Sequence, residues 1–290
     1  MQGIVQRVSS MFHQRVPANA KGRDFVAGDL HGSLRKLEDH LAAEDFNPAL
    51  DRLFLVGDLI DRGPDSMGCL ELLREPWVYA VRGNHERMLI DYVDQGQASG
   101  PNKDPSAVFV QNGGGWVGGL DRLARQKLEE LMPFVRCLPY VITVGDGSEC
   151  FHVAHAEIMG DRFSTLCPGI DADLIKVEGV DPRIPRDEHI TNETVVQMIE
   201  PLTWGRRLVS GVQRKLNILP DFLGHNLMVG DKPFHPGLSL TYVGHTILPA
   251  LGLQSSHLFI DRGAYQGELL AVLQHDKVQS KLRTMFPEAP

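Results

Sequence analysis

The sequence has little cysteine: four residues in 290, at positions 69, 137, 150 and 167. They form no C-x-x-C pair and no dense spacing, which excludes a disulfide framework and makes a reducing cytoplasm the expected setting. Long apolar runs are missing as well. None approaches the roughly 20 residues that a spanning helix requires, so no membrane association is expected. Basic charge is also in deficit, with 29 Lys and Arg against 37 Asp and Glu and a formal net charge of -8. No cationic stripe suits a phosphodiester backbone, so nucleic acid is not an expected partner. Internal repeats of solenoid type are absent, and no break in composition forces two domains. Nothing in the sequence assigns an oligomeric state.

What is present is an ordinary globular composition, 42% hydrophobic and 23% charged, in a chain long enough to bury a sizeable core. Residues 1–22 read as a weakly specified leader. A pattern then repeats. Asp24-Phe25-Val26-Ala27 is a short apolar run ending in Gly28-Asp29, followed by Leu34, Leu37 and Leu41 at helical spacing with Ser33 placed to cap. Arg52-Leu53-Phe54-Leu55-Val56 ends in Gly57-Asp58, and Met67, Leu70 and Leu73 follow on one helical face. The third run, Trp77 to Val81, ends in Arg82-Gly83-Asn84, with Met88, Leu89 and Tyr92 beyond. Strand, loop and helix in succession predict parallel βαβ units, and their polar residues gather at the carboxyl edge where open α/β sheets hold ligands.

After residue 100 the helical rhythm weakens. Residues 121–132 predict one amphipathic helix stopped by Pro133. Tyr140–Val144 and Cys150–Ala154 predict a hairpin, and Leu240–Val243, His257–Ile260 and Leu269–Leu273 predict strands of a mixed second sheet. Residues 160–235, rich in Pro, Gly and charge, read as a surface excursion or cap with one helix near Asn192–Ile199. The expected organisation is a single domain over 23–275 with that excursion at about 160–235, and a tail over 276–290.

The strand ends collect one chemistry. They read Gly28-Asp29-Leu30-His31-Gly32, Gly57-Asp58-Leu59-Ile60-Asp61-Arg62-Gly63 and Arg82-Gly83-Asn84-His85-Glu86; two later apolar runs end in His155 and His245. A single Gly-Asp or histidine after a strand is usually only a turn or a satisfied residue; this ordered series is not. Oxygen and imidazole donors suit borderline divalent metals. A carboxylate has two oxygens and can bridge two ions, and Asp58 is the central candidate for that place. Such a pair of ions clamps the oxygens of an in-line displacement.

Taken together, GDLHG, GDLIDRG, RGNHE, the His155-Ala156 and the Gly244-His245-Thr246 resemble the calcineurin-like metallophosphoesterases. Within them the chain is similar to the PPP-type serine/threonine protein phosphatases, those of bacteriophage lambda and bacteria above all. The likeness runs from about Phe25 to about Leu273 and includes Asn112-Gly113-Gly114-Gly115-Trp116 and Trp204-Gly205-Arg206. It implies an α/β fold of two packed mixed sheets flanked by helices, an αββα sandwich. It implies two divalent ions, manganese expected and iron or zinc the alternatives. Asp29, His31 and Asp58 would hold one ion; Asp58, Asn84, His155 and His245 would hold the other. Arg62, Arg82 and Arg206 would grip phosphoryl oxygens, His85 would protonate the leaving oxygen, and Asp61 would orient His85. The nucleophile implied is metal-bound hydroxide, and no C-x5-R loop offers a cysteine instead. Substrates would be phosphorylated proteins or peptides carrying phosphoserine or phosphothreonine, with phosphotyrosine a further candidate.

Alternatives remain open on sequence. Gly224-His225-Asn226 imitates Gly244-His245-Thr246 as source of the last ligand. Asp261-Arg262-Gly263-Ala264 departs from the family's Asp-Thr-Gly-Ala, and Glu157 from its glycine or aspartate after His-Ala. A symmetrical dinucleoside tetraphosphatase shares the metal scaffold, against which stand Asp61-Arg62-Gly63, Glu86 and the glycine run before Trp116. An inactive binding protein on the same fold would have lost a ligand, the acid or an arginine, and none is lost.

Overall fold

A computed structural model describes residues 13–95, 105–146, 150–158, 200–214, 217–236 and 238–287. The three predicted units are there. Strand β2 (Asp24–Ala27) leads to α1 (Leu34–Ala43), β3 (Arg52–Leu55) to α2 (Ser66–Glu71), and β4 (Val78–Ala80) to α3 (Asn84–Gln95). These strands lie parallel in the order β2-β3-β4, and β12 (Val272–Gln274) closes the sheet antiparallel to β2. Ser33 stands at the N-cap of α1 without a side-chain bond, whereas Asp65 caps α2 by accepting from the Gly68 amide.

A second, eight-stranded mixed sheet packs against the first. It begins with β1 (His13–Val16), from within the segment expected as a leader, parallel to β5 (Val141–Val144). Next comes β6 (Phe151–Ala154), antiparallel to β5 as the predicted hairpin. Then follow β9 (Thr241–Val243), β11 (His257–Phe259), β10 (Leu251–Gln254), β8 (His225–Val229) and β7 (Asn217–Phe222). The sequence reading assigned no strand between 160 and 235, yet the antiparallel pair β7 and β8 extends this sheet from that stretch. The helix expected near Asn192–Ile199 lies outside the described residues.

Two-residue alternation sorts the small sheet. Phe25, Ala27, Leu53 and Leu55 join the helices in one core, while Val26, Phe54, Val56 and Val81 face the large sheet in another. Phe54 meets Phe151 of β6 edge to face at 5.6 Å between centroids, so one aromatic pair spans the two sheets. Helix α4 (Pro105–Gln111) packs on α3 and α5 (Arg122–Arg136) on α2 and α3, while α6 (Val209–Arg214) lies by β10 and α7 (His275–Met285) by β12 and β2. The sequence stopped α5 at Pro133; the helix runs through it. Pro133 falls in the last turn, where its missing N–H deserts only the carbonyl of exposed Glu129, which water reaches.

Among the described residues no helix is long and apolar enough to cross a membrane. Cys69 and Cys137 are free thiols.

Candidate metal centre

The carboxyl ends of the small sheet and the ends of β6 and β9 meet at one place. The donor atoms of His31, Asp58 and His85 lie within 4.8 Å of one another, and so do those of Asp58, His155 and His245; all are buried. Asp58 belongs to both sets. Its Oδ2 is 3.6 Å from His31 Nε2 and its Oδ1 is 3.4 Å from His155 Nε2. Asn84 joins the second set, its Oδ1 2.9 Å from His155 Nε2 and 3.0 Å from His245 Nδ1. Asp29 stands at the margin, both oxygens accepting from the His245 amide at 3.2 and 3.0 Å. Of the two rival histidines, His245 enters the cluster; His225 sits at the start of β8, 3.4 Å from an Arg262 nitrogen.

The backbone is bent hard to achieve this. His31, Asp58, Asp61, Arg62 and His245 all have positive φ, from 42° to 73°. Such a conformation costs a non-glycine residue about 1 kcal/mol and persists only where the surroundings enforce it. Glycines supply the close approaches: a Cβ on Gly83 would strike the Asp58 carboxylate, and one on Gly244 the Asp29 carboxylate.

Tautomers follow from the partners. The Nδ1–H of His31 donates to the Ile60 carbonyl and that of His155 to the Val56 carbonyl, each at 2.8 Å, which leaves the Nε2 lone pairs facing the cluster. Burial lowers His31 and His245 to about 3 and depresses His155, so all three are neutral near pH 7. Burial pushes Asp58 upward, but the imidazoles around it outweigh that and hold its carboxyl below the usual range. Asn84 Oδ1, His155 Nε2 and His245 Nδ1 thus crowd within 3.2 Å beside a carboxylate. His245 Nε2 is buried with no hydrogen-bond partner among the described residues. Electron pairs converge here with few protons among them, a donor set that fits divalent cations.

In the first cluster, His85 Nδ1 is 2.6 Å from Asp61 Oδ2, and its buried Nε2 has no hydrogen-bond partner among the described residues. Burial lowers the His85 pKa, but Asp58 and Asp61 outweigh it and leave the value raised. The three arginines are placed differently. Arg62 is exposed at the mouth, its Nη1 2.7 Å from His31 Nε2. Arg206 is exposed too, close enough to His155 and His245 to disfavour their charged forms. Arg82 is buried: its Nη2 donates to the Arg136 carbonyl at the end of α5 (2.6 Å), and its guanidinium lies over the Tyr140 ring (5.1 Å). Those contacts tie its side chain to the end of α5.

A model of the calcineurin-like phosphoesterases matches residues 25–171, just over half the chain. The chain belongs to the calcineurin-like phosphoesterase family. Serine/threonine-protein phosphatase 1 of Salmonella typhimurium is 39% identical over 145 residues, covering 50% of this chain and 63% of that protein. A symmetrical bis(5'-nucleosyl)-tetraphosphatase of Actinobacillus pleuropneumoniae is 36% identical over 88 residues, or 30% of this chain and 33% of that protein. The chain therefore matches less than two thirds of either relative. Among solved structures, a cold-active protein-tyrosine phosphatase of a Shewanella species superposes with a TM-score of 0.52 at 14% identity, covering 93% of this chain and 80% of that one. That likeness is one of fold.

Within this family site, three side chains escaped the sequence reading. Trp116 donates its indole N–H to Asp61 Oδ1 at 2.6 Å. Asp261 is buried and hydrogen-bonded to Asp29, and burial raises it to about 6. Glu157 is buried and accepts from the backbone amides of Arg207 (2.8 Å), Leu208 (2.6 Å) and Val209 (3.1 Å). Each lies in a stretch that departed from the family pattern or had no role. Glu86, expected only to steady its loop, accepts from the amides of Asp58 (2.9 Å), Leu59 (2.8 Å) and Gly83 (2.8 Å).

Proposed function

We propose that the chain is a dinuclear-metal-dependent phosphomonoesterase that releases phosphate from phosphoserine and phosphothreonine in proteins, with phosphotyrosine a further substrate. The observation that carries this reading is Asp58, one buried carboxylate common to two donor clusters, with the His85–Asp61 pair alongside. Asp29, His31 and Asp58 would hold one ion, and Asp58, Asn84, His155 and His245 the other. Manganese is the expected metal. Such ions neutralise phosphoryl charge and lower the pKa of water.

The rest is the work of side chains. Arg62 and Arg206, exposed beside the clusters, bind the phosphoryl oxygens with planar donors. Arg82, buried beside the strand end, is in this reading the third guanidinium that grips phosphoryl oxygens. Water adds oxygen to phosphorus while the bond from phosphorus to the substrate oxygen breaks. The proton on His85 Nε2 passes to that oxygen, which leaves as the alcohol, and Asp61 holds Nδ1–H throughout. Although His85 counts among the donors of the first cluster by distance, its bond to Asp61 and unpartnered Nε2 suit an acid. Free thiols fit a cytoplasmic setting.

A second reading, symmetrical dinucleoside tetraphosphate hydrolysis, draws on the 88-residue likeness to such an enzyme. One assay separates them: phosphate release by metal-stripped protein with manganese restored, on phosphoserine and phosphothreonine peptides and on diadenosine tetraphosphate. Turnover of the peptides alone is the expected result. Preference for the dinucleotide would overturn the substrate class while keeping the site.

A further inference from the structure

We infer that Trp116 is a positioning residue for the proton donor: its indole N–H fixes the Asp61 carboxylate, and through it the His85 ring. The inference rests on the reading of His85 as the general acid. Asp61 is fully buried, and each of its oxygens has a designated partner, Trp116 Nε1 on Oδ1 and His85 Nδ1 on Oδ2, both at 2.6 Å. Its backbone amide donates to Ser66 Oγ at 2.9 Å. The carboxylate therefore cannot rotate without breaking a short, charge-assisted bond. Remove the indole N–H and Oδ1 is left buried without its donor, free to turn or to compete for the His85 proton.

The glycine run explains how a tryptophan so far along the chain reaches this place. Gly113 has φ 109°, and a Cβ there would sit 2.9 Å from the Arg62 nitrogen; a Cβ on Gly114 would overlap the Phe109 ring. Only a chain lacking both side chains can lie flat against Arg62 and Phe109 and bring the half-buried Trp116 ring down onto Asp61. The motif Asn112–Trp116, which no ligand or arginine role absorbs, is on this account a device for delivering one N–H.

Trp116→Phe keeps the ring's packing and deletes the donor. The test compares kcat on 4-nitrophenyl phosphate, whose phenolate leaves with little help, and on a phosphoserine peptide, whose alkoxide needs a proton. Expected is a loss of about tenfold or more on the peptide and little on the aryl ester, since general acids contribute roughly 100-fold or more where protonation is needed. KM and metal content stay unchanged. An equal loss on both substrates, or none on either, overturns the inference. His85→Asn is the control: if it shows no leaving-group selectivity, the acid assignment itself fails; if it does and Trp116→Phe does not, only the Trp116 inference fails. Should Trp116→Phe not fold, the indole NMR signals of the three tryptophans decide: one signal strongly downfield that moves upfield in Asp61→Asn supports the bond, and its absence sinks it.

Discussion

Glu86 and Glu157 are both buried carboxylates that take three backbone N–H groups, but the amides belong to different things. Those on Glu86 come from the loops after β3 and β4, so that one side chain ties the loop of Asp58 to the loop of Asn84. Those on Glu157 come from the stretch that enters α6, so that the end of β6, with His155, suspends the segment of Arg206. The Ala156 and Glu157 amides add bonds to the Leu202 and Pro201 carbonyls at 2.8 and 3.1 Å, and the Trp204 ring stands edge-on to His245 at 5.7 Å. Identical chemistry thus does two jobs. One clasp holds together the loops of the proposed ligands; the other hangs the segment of Arg206, proposed to bind phosphate, from the end of β6.

If that division is right, damage to the two clasps differs in kind. Glu86→Ala should be the most severe, leaving three buried amides unmet at about 1–3 kcal/mol each and disordering both clusters. Urea denaturation should show a loss of about 5 kcal/mol, with metal lost as well; near-normal stability would erase the distinction. Acid is the second way to sharpen it. Burial depresses three histidines of the large-sheet side outside the proposed ligand set: His152 and His275, both lowered to about 3, and His257, lowered to about 4. Unfolded, each titrates near 6.5, so the unfolded chain holds more protons between those values. Stability is full above about 6.5 and falls with pH below it, on the order of 1 kcal/mol per histidine per pH unit. Glu86, whose carboxyl is raised by burial to about 7, works in the opposite sense and steadies its own side. Hydrogen exchange on metal-free protein at pH 5.5 should therefore find β6 less protected than β3, and equal protection would count against the contrast. The smallest effect is expected for Glu157→Gln, which presents an N–H to amides that want an acceptor. KM for a phosphomonoester should rise roughly tenfold, about 1.4 kcal/mol, with metal content unchanged; metal loss in this variant would merge the two clasps into one function.

The same contrast governs what could be read from the residues. Around Glu86, every ligand follows an apolar run and precedes a helix with its leucines in step, so period and punctuation announce the loops. Around Glu157 no such rhythm exists. β1 is His-Gln-Arg-Val, with too few apolar residues to register as a strand. β7 is mostly exposed and contains Pro220, tolerable because it lies at the sheet's edge. β10 carries Gly252, and it reverses into β11 through Ser255 and Ser256 at positive φ, where no glycine marks the turn. The clustered donors His31, Asp58, His85, His155 and His245 were legible because chemistry gathers at strand ends. The bonds from Trp116 to Asp61 and from the amides of 207–209 to Glu157 were not, because each joins residues some fifty apart and leaves no periodic trace. The buried bond from Arg82 to the Arg136 carbonyl was equally silent in the sequence, again joining residues some fifty apart.

One pairing described above also bears on synthesis. β2, the first strand of the small sheet, finds its antiparallel neighbour in β12, at the other end of the domain, with Ala27 opposite Val272. While the chain is being made, the loops bearing Asp29, Asp58 and Asn84 emerge before β12, so the β2 edge of their sheet stays open until Val272–Gln274 has been made. An unpaired edge of that kind is an invitation to wrong partners. Between the synthesis of β2 and that of β12 the growing chain carries apolar strands with this edge unpaired, and the arrival of Val272–Gln274 ends that exposure.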